Sequence, residues 1–215
     1  MIKERKRAPS ARSLKTRENI LNAAEQIFSA HGFEGAALRD IAKLADVPVG
    51  LVQHHGNNKE DLFCQTVIRR AEEIARIRVD NLEKLKTDGD LTLRSILNCF
   101  MGAYVTLAQD GGDHWLAYGR LVAHVSSDPR WKELAAQCFD PTASRFLEEI
   151  LNLYPDASPE AAAAGQVYSV SAMLAFLNSG WRIDALSPGA SDTDINHLVN
   201  FCTAGMEAIL KPRAN

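Results

Sequence analysis

Long uncharged apolar runs are missing from this chain of 215 residues. No stretch of about 18 apolar residues is present that could cross a bilayer as a helix, so neither a membrane span nor a membrane partner is expected. The N-terminal segment MIKERKRAPSARSLKTR is basic but lacks the apolar stretch of a secretory signal, which points to a cytoplasmic protein. Cysteine is scarce: Cys64, Cys99, Cys138 and Cys202 are scattered without metal-type spacing and read as buried, reduced thiols. There is no Gly-rich phosphate loop and no grouping of nucleophile, base and orienting acid, so no cofactor and no enzymatic activity are expected. Strand-like alternation, internal repeats and low-complexity tracts are absent as well. What is left is an all-α chain, 46% apolar and long enough for one large core or two small ones.

The overall charge of −3 argues against a nucleic-acid partner until its distribution is considered. Residues 1–70 carry 12 Lys and Arg against 8 Asp and Glu, whereas residues 71–215 carry 12 against 19. The basic excess is concentrated at the start, where Lys3, Arg5, Lys6, Arg7, Arg12, Lys15 and Arg17 face only Glu4 and Glu18. Such an arm, over residues 1–13, suits phosphate contacts or a minor groove if a DNA-reading element lies beside it; alone it reads as a solubilising tail.

That element is LRDIAKLADVPVGLVQHHGN, Leu38 to Asn57: two short helices around a tight turn. Ala42 is small enough to let the helices cross, and Leu38, Ile41, Ala45, Val47 and Val52 supply apolar positions at helical spacing. The second helix, Val49 to His55, is left with an outward face suited to a major groove.

With its flanks the stretch resembles the DNA-binding domain of the TetR family of one-component repressors. Over residues 14–63, Arg17, Ile20, Leu21, Ala23, Ala24, Phe28, Gly32, Phe33, Arg39 to Ala42, Ala45, Val47, Gly50, His55, Lys59, Glu60 and Leu62 stand at that family's spacing. The resemblance implies a three-helix helix-turn-helix domain over residues 14–60, followed by a helical ligand-binding and dimerisation domain over 61–215, about nine helices in all. It also implies a regulator that binds a near-palindromic double-stranded operator as a homodimer, paired through the eighth and ninth helices, and is released by a small-molecule effector. Val49, Gln53 and His54 are the candidate base contacts, with Gly50 permitting close approach. Arg39, His55 and Lys59 are candidates for phosphates, joined by Lys15 and Arg17. Two adjacent histidines on a helix point about 100° apart, so His54 and His55 do not suggest a metal site.

The sequence departs from the family pattern at several positions. Ala36 and Ala37 replace a capping Thr, Asp46 the turn Gly, Pro48 a Ser, and Gln53 and Gly56 the usual Tyr and Phe. Gly56 therefore predicts a missing aromatic plug. These changes leave open an alternative, a protein of this fold with degraded DNA contacts that acts through a protein partner.

Along the rest of the chain, periodicity and punctuation predict helices over Leu14 to His31, Lys59 to Lys86, Leu91 to Ala108 and from Asp113 onward. One kinked helix is expected from Asp128 through Pro141 to Leu153, and one from Ser158 to Ala185. A capping box at Ser191 to Asp194 opens the last helix. The helix from Lys59, roughly 40 Å long, can belong to both domains. Met101, Tyr104, His114, Trp115, Tyr118, Trp131, Met173 and Trp181 are the candidate effector contacts, apolar bodies with a few polar tips.

Overall fold

The computed structural model describes residues 10–187 and 194–211. The arm residues Lys3, Arg5, Lys6 and Arg7, and Ser191 to Thr193 of the expected capping box, lie outside the described residues. The chain divides into two compact units, Met1–Val67 and Ile68–Asn215.

In the first unit, α1 (Ala11–Gly35) begins three residues before the apolar stripe predicts, because Ser10 caps it by accepting from the Ser13 N–H at 3.2 Å. Gly32 interrupts it with φ 68°, a conformation that favours glycine. The chain turns there so that Phe33 joins Phe28 and Phe63 in an aromatic cluster, with edge-on contacts of 5.1 and 5.5 Å to Phe63. Helices α2 (Leu38–Leu44) and α3 (Val49–Gly56) form the expected pair. The turn between them is a Schellman motif: Val47 N–H donates to the Ala42 carbonyl at 3.0 Å and Asp46 N–H to that of Lys43 at 3.3 Å. Asp46 occupies the left-handed position, φ 54°, which short polar side chains tolerate better than most. Ile41, Ala42 and Val52 are buried between the helices.

Helix α4 (Lys59–Asp88) starts at Asn58, whose side chain accepts from the Asp61 N–H at 2.8 Å. Its Leu62 closes over Gly56: a Cβ on Gly56 would lie 2.9 Å from Leu62 Cβ. The expected missing plug is therefore not a void. Leu62 fills the place, and glycine is the residue that lets it.

In the second unit, α5 (Leu93–Asp110) opens with a reciprocal Thr92–Ser95 capping box and α6 (Asp113–Ser127) follows the Gly111-Gly112 turn. The single kinked helix expected around Pro141 is instead a 3-10 turn (Pro129–Trp131) and two helices, α7 (Lys132–Cys138) and α8 (Asp140–Leu153). Pro141 has no N–H to continue the ladder, and the break at Phe139 places it in the first turn of a new helix, where none is needed. The helix from Ser158 likewise divides into α9 (Pro159–Asn178) and α10 (Gly180–Leu186), separated at Ser179, φ −122° and ψ 20°. Asp194 caps α11 (Ile195–Leu210). These divisions bring the described residues to eleven α-helices instead of about nine, and no strand is found among them. Helices α9 and α11 pack so closely that a Cβ on Gly165 would meet Met206 at 2.9 Å.

Replacing Gly56 with Ala should force Leu62 aside and lower stability by about 1–3 kcal/mol, read as a fall in the denaturant midpoint. An unchanged midpoint would show that Leu62 repacks freely.

Candidate nucleic-acid interface and ligand cavity

Helix α3 has one buried face, Val52 and Gly56, and an opposite face that is exposed. Val49, Gly50, Gln53 and His54 are all exposed, and nothing lies within 4 Å of a Cβ placed on Gly50. The structure thus brings the four candidate base-reading residues onto one surface. Leu51 joins its edge, 38% exposed; sequence reasoning passed over it because an apolar residue in a short helix reads as core. An apolar side chain there is suited to a thymine methyl. The helix is held from behind by local bonds. Gln65 donates to the His55 carbonyl at 3.4 Å, and Arg17 donates to the Gln65 side chain at 2.9 Å.

The candidate phosphate contacts are placed less uniformly. Arg39 is exposed at the start of α2, with Asp40 3.8 Å away as its ionic neighbour among the described residues. No side chain caps α2 at Ala37, as the departures from the family pattern imply. Lys15 is exposed on α1, as is Arg17, whose guanidinium is engaged by Gln65. Lys59 is half-buried: its ammonium donates to the Glu34 carbonyl at 3.1 Å and lies 4.8 Å from the centre of the Phe33 ring. It ties the end of α1 to the start of α4, a structural duty its position in sequence does not suggest. Partial burial, together with the neighbouring His54 and Arg17 charges, holds the His55 imidazole below its ordinary pKa, so it is mostly neutral at pH 7.

Within the second unit, helices α4 to α9 line a partly open cavity of about 300 Å³, with exposed Val167 and Asp140 at its edge. Its walls include Ile74, Phe100, Val122, Met173 and Leu174, with Tyr104, Tyr118, Gln166 and Arg78 as polar groups. Of the expected effector contacts, Tyr104, Tyr118 and Met173 line it. Met101, Trp115 and Trp131 are buried but are not on its wall, nor is His114, whose ring lies 5.9 Å from that of Trp115. Trp181 is on α10 and 70% exposed. Large aromatics fill cores as readily as they line cavities, so residue type alone did not separate the two roles.

The cavity's two most informative polar residues were missed, although each left a trace. Arg78 stands one helical turn from both Ile74 and Leu82, buried residues of the same stripe of α4. A charge inside an apolar stripe is a signal. Its Nε donates to the Phe100 carbonyl at 2.9 Å and its guanidinium carbon lies 3.7 Å from the centre of the Phe100 ring. Burial lowers its pKa to about 10, with Tyr118 and Tyr104 opposing the shift, so it remains a cation at pH 7. Gln166 occupies the buried stripe of α9 between Ala162 and Ser169. It is 4% exposed, and among the described residues neither its amide nitrogen nor its amide oxygen has a hydrogen-bond partner. Leaving such a group unsatisfied costs about 1–3 kcal/mol.

Comparison with known proteins agrees with both units. Residues 20–65 match the profile described as bacterial regulatory proteins, tetR family, and residues 98–205 that of the tetracyclin repressor-like C-terminal domain. The HTH-type transcriptional regulator UidR of Escherichia coli (strain K12) is 41% identical over 64 residues, 29% of this chain and 33% of that protein. The repressor BepR of Brucella suis biovar 1 is 42% identical over 65 residues, 30% of this chain and 31% of that one. The chain therefore matches about a third of the length of these relatives. Among solved structures, a tetR-family transcription regulator from Shewanella sp. PV-4 shares the fold with a TM-score of 0.64 at 20% identity, covering 89% of this chain and 95% of that one. HlyIIR, a hemolysin II transcriptional regulator, does so at 0.57 and 18%, covering 93% and 99%. With a family profile spanning half its length and a second over the helix-turn-helix, this chain belongs to the TetR family of transcriptional regulators.

Proposed function

We propose that this protein is a repressor that binds a near-palindromic operator as a homodimer and leaves it when a small molecule occupies the cavity of the second unit. The observation that carries the DNA-binding part is the outward face of α3, where Val49, Gly50, Gln53 and His54 stand exposed on a helix locked from behind. Gln53 can bond a base edge at two points, and Arg39 is an exposed cation for the flanking phosphate. Repression is favoured by the name of the relative BepR.

Homodimerisation through the ends of the chain is supported by what α9 and α11 expose. Helix α9 has one charged residue, Glu160, in 20, and α11 has one, Glu207, in 16. In place of a solvated face they present Val167, Tyr168, Phe201 and Ile209, with Tyr168 66% and Phe201 72% exposed. Surface helices of a monomer usually carry charges there, and an apolar face of this kind calls for a partner. A second copy also answers a need of recognition. One short helix reads too few base pairs to select a genomic site, whereas two related by a twofold axis read a near-palindrome.

The switch would run through α4. That helix is unbroken from Lys59 to Asp88; its Leu62 locks α3, and its Ala71, Ile74, Ala75 and Arg78 line the cavity. A ligand that fits the cavity better when α4 is displaced shifts the population away from the DNA-competent state. Carrying the equilibrium from 1:99 to 99:1 takes about 5.5 kcal/mol of differential affinity.

Mobility-shift assays on DNA around the protein's own coding region should give a salt-sensitive complex. Changing Gln53 or His54 to Ala should weaken operator binding by about 1–3 kcal/mol while sparing non-specific binding. Arg39→Ala should instead weaken all sequences alike and reduce the salt slope by about 1. No complex at low salt on any of many sequences would favour action through a protein partner. For the dimer, light scattering should give twice the chain mass, falling to one chain mass when Tyr168 and Phe201 are both changed to Glu. A monomeric wild type at micromolar concentration would sink the pairing.

A further inference from the structure

The chemistry of the effector is legible in the cavity, on the footing that this cavity is the effector site. Arg78 is a cation placed deep in the second unit, with no carboxylate within ion-pair distance among the described residues. A guanidinium carries five N–H donors in a planar fork. Here Nε is used on the Phe100 carbonyl and one Nη meets only the Met173 sulfur at 3.9 Å. No oxygen among the described residues accepts from either Nη. Although deep, Arg78 keeps part of its surface accessible, as expected of a side chain whose free edge faces an internal space.

Gln166 lines the same space and offers a second donor from a side chain with no protein partner. The remaining wall is largely apolar. A half-buried, charged fork and an unsatisfied amide on the wall of one cavity are costly as they stand, and an anion reaching both would accept from the free Nη groups and from the Gln166 amide nitrogen. One guanidinium balances one charge, which matches a carboxylate and falls short of a phosphate monoester, with its close to two charges at neutral pH. Asp140 also lines the cavity, but it is exposed at the start of α8, where water and salt screen its charge more than that of the half-buried Arg78.

We propose that the cavity takes a small organic monocarboxylate, its carboxylate held by Arg78 and Gln166 and its apolar body lying against Ile74, Val122, Met173 and Leu174. Arg78 thereby sets the ligand's charge, and the volume of about 300 Å³ restricts it to a compact molecule.

The test compares charge at constant shape. Hexanoate and phenylacetate, their primary amides, and hexylammonium are titrated into the full-length protein by calorimetry and by melting temperature. At least one acid should raise the melting temperature and bind roughly 10- to 100-fold more tightly than its amide, as a charge-assisted bond implies. Arg78→Met should erase that preference, and Gln166→Leu should weaken the acid several-fold. The wild-type comparison of acid with amide stands even if the Arg78 variant fails to fold. Equal binding of acid and amide, preference for the ammonium compound, or no response to either acid overturns the proposal. DNA release is scored separately. Acid-selective binding that leaves DNA affinity unchanged removes the effector reading and keeps the carboxylate site, whereas release by the amides does the reverse.

Discussion

Leu62 rests on Gly56 with no room for even a methyl group between them, and the exposure of α3 is possible because of that contact. A helix of eight residues has too few hydrogen bonds of its own to stay formed in water, so its rigidity must come from the face it buries. Val52 and Gly56 provide that face, the Schellman turn at Asp46 sets the angle of entry, and Leu62 seals the exit. The opposite face is thereby free to carry residues chosen for DNA rather than for packing. The same contact makes the first turns of α4 part of the recognition apparatus.

The second unit places its polar groups in a contrasting way. Two of its long helices, α9 and α11, are almost without charge yet expose Tyr168 and Phe201, while a full positive charge, Arg78, lines the cavity. For an isolated globular domain both features would be costly: apolar surface in water, and a cation away from it. They are reconciled if the outer surface meets a second copy and the inner cation meets an anion. Phe100 moderates the cost by presenting its ring face and its carbonyl to the guanidinium.

Particular residues show where a linear reading succeeds. Apolar spacing located α2, α3, α5 and α6, and it predicted α4 to within two residues of its end at Asp88, because a helix that buries one stripe must repeat it. Asp46 was placed as the left-handed turn residue by the family resemblance, and Val49, Gly50, Gln53 and His54 were placed on the outward side of their helix by spacing within a few positions. The division at Pro141 was harder. The apolar phase persists across it, so periodicity favoured one helix, and the local geometry at Phe139 divided it into two. Ser179 divides the penultimate stretch with no proline to announce it.

Composition and periodicity were enough to predict an all-helical protein with a tight helix pair near its start, because those properties come from short-range spacing and from the chemistry of single residues, and the family resemblance of the flanks gave that pair its DNA-reading role. They could not say that Lys59 is spent on a carbonyl and an aromatic ring, that Gly56 is a fitted contact instead of a loss, or that Tyr104, Tyr118 and Met173 face a cavity while Met101, Trp115 and Trp131 do not. Each of those outcomes depends on which side chains from distant parts of the chain arrive at the same place. Arg78 and Gln166 stand between the two cases: their interruption of apolar stripes is visible in the linear order, but their arrival on the wall of one cavity exists only after six helices have packed around it.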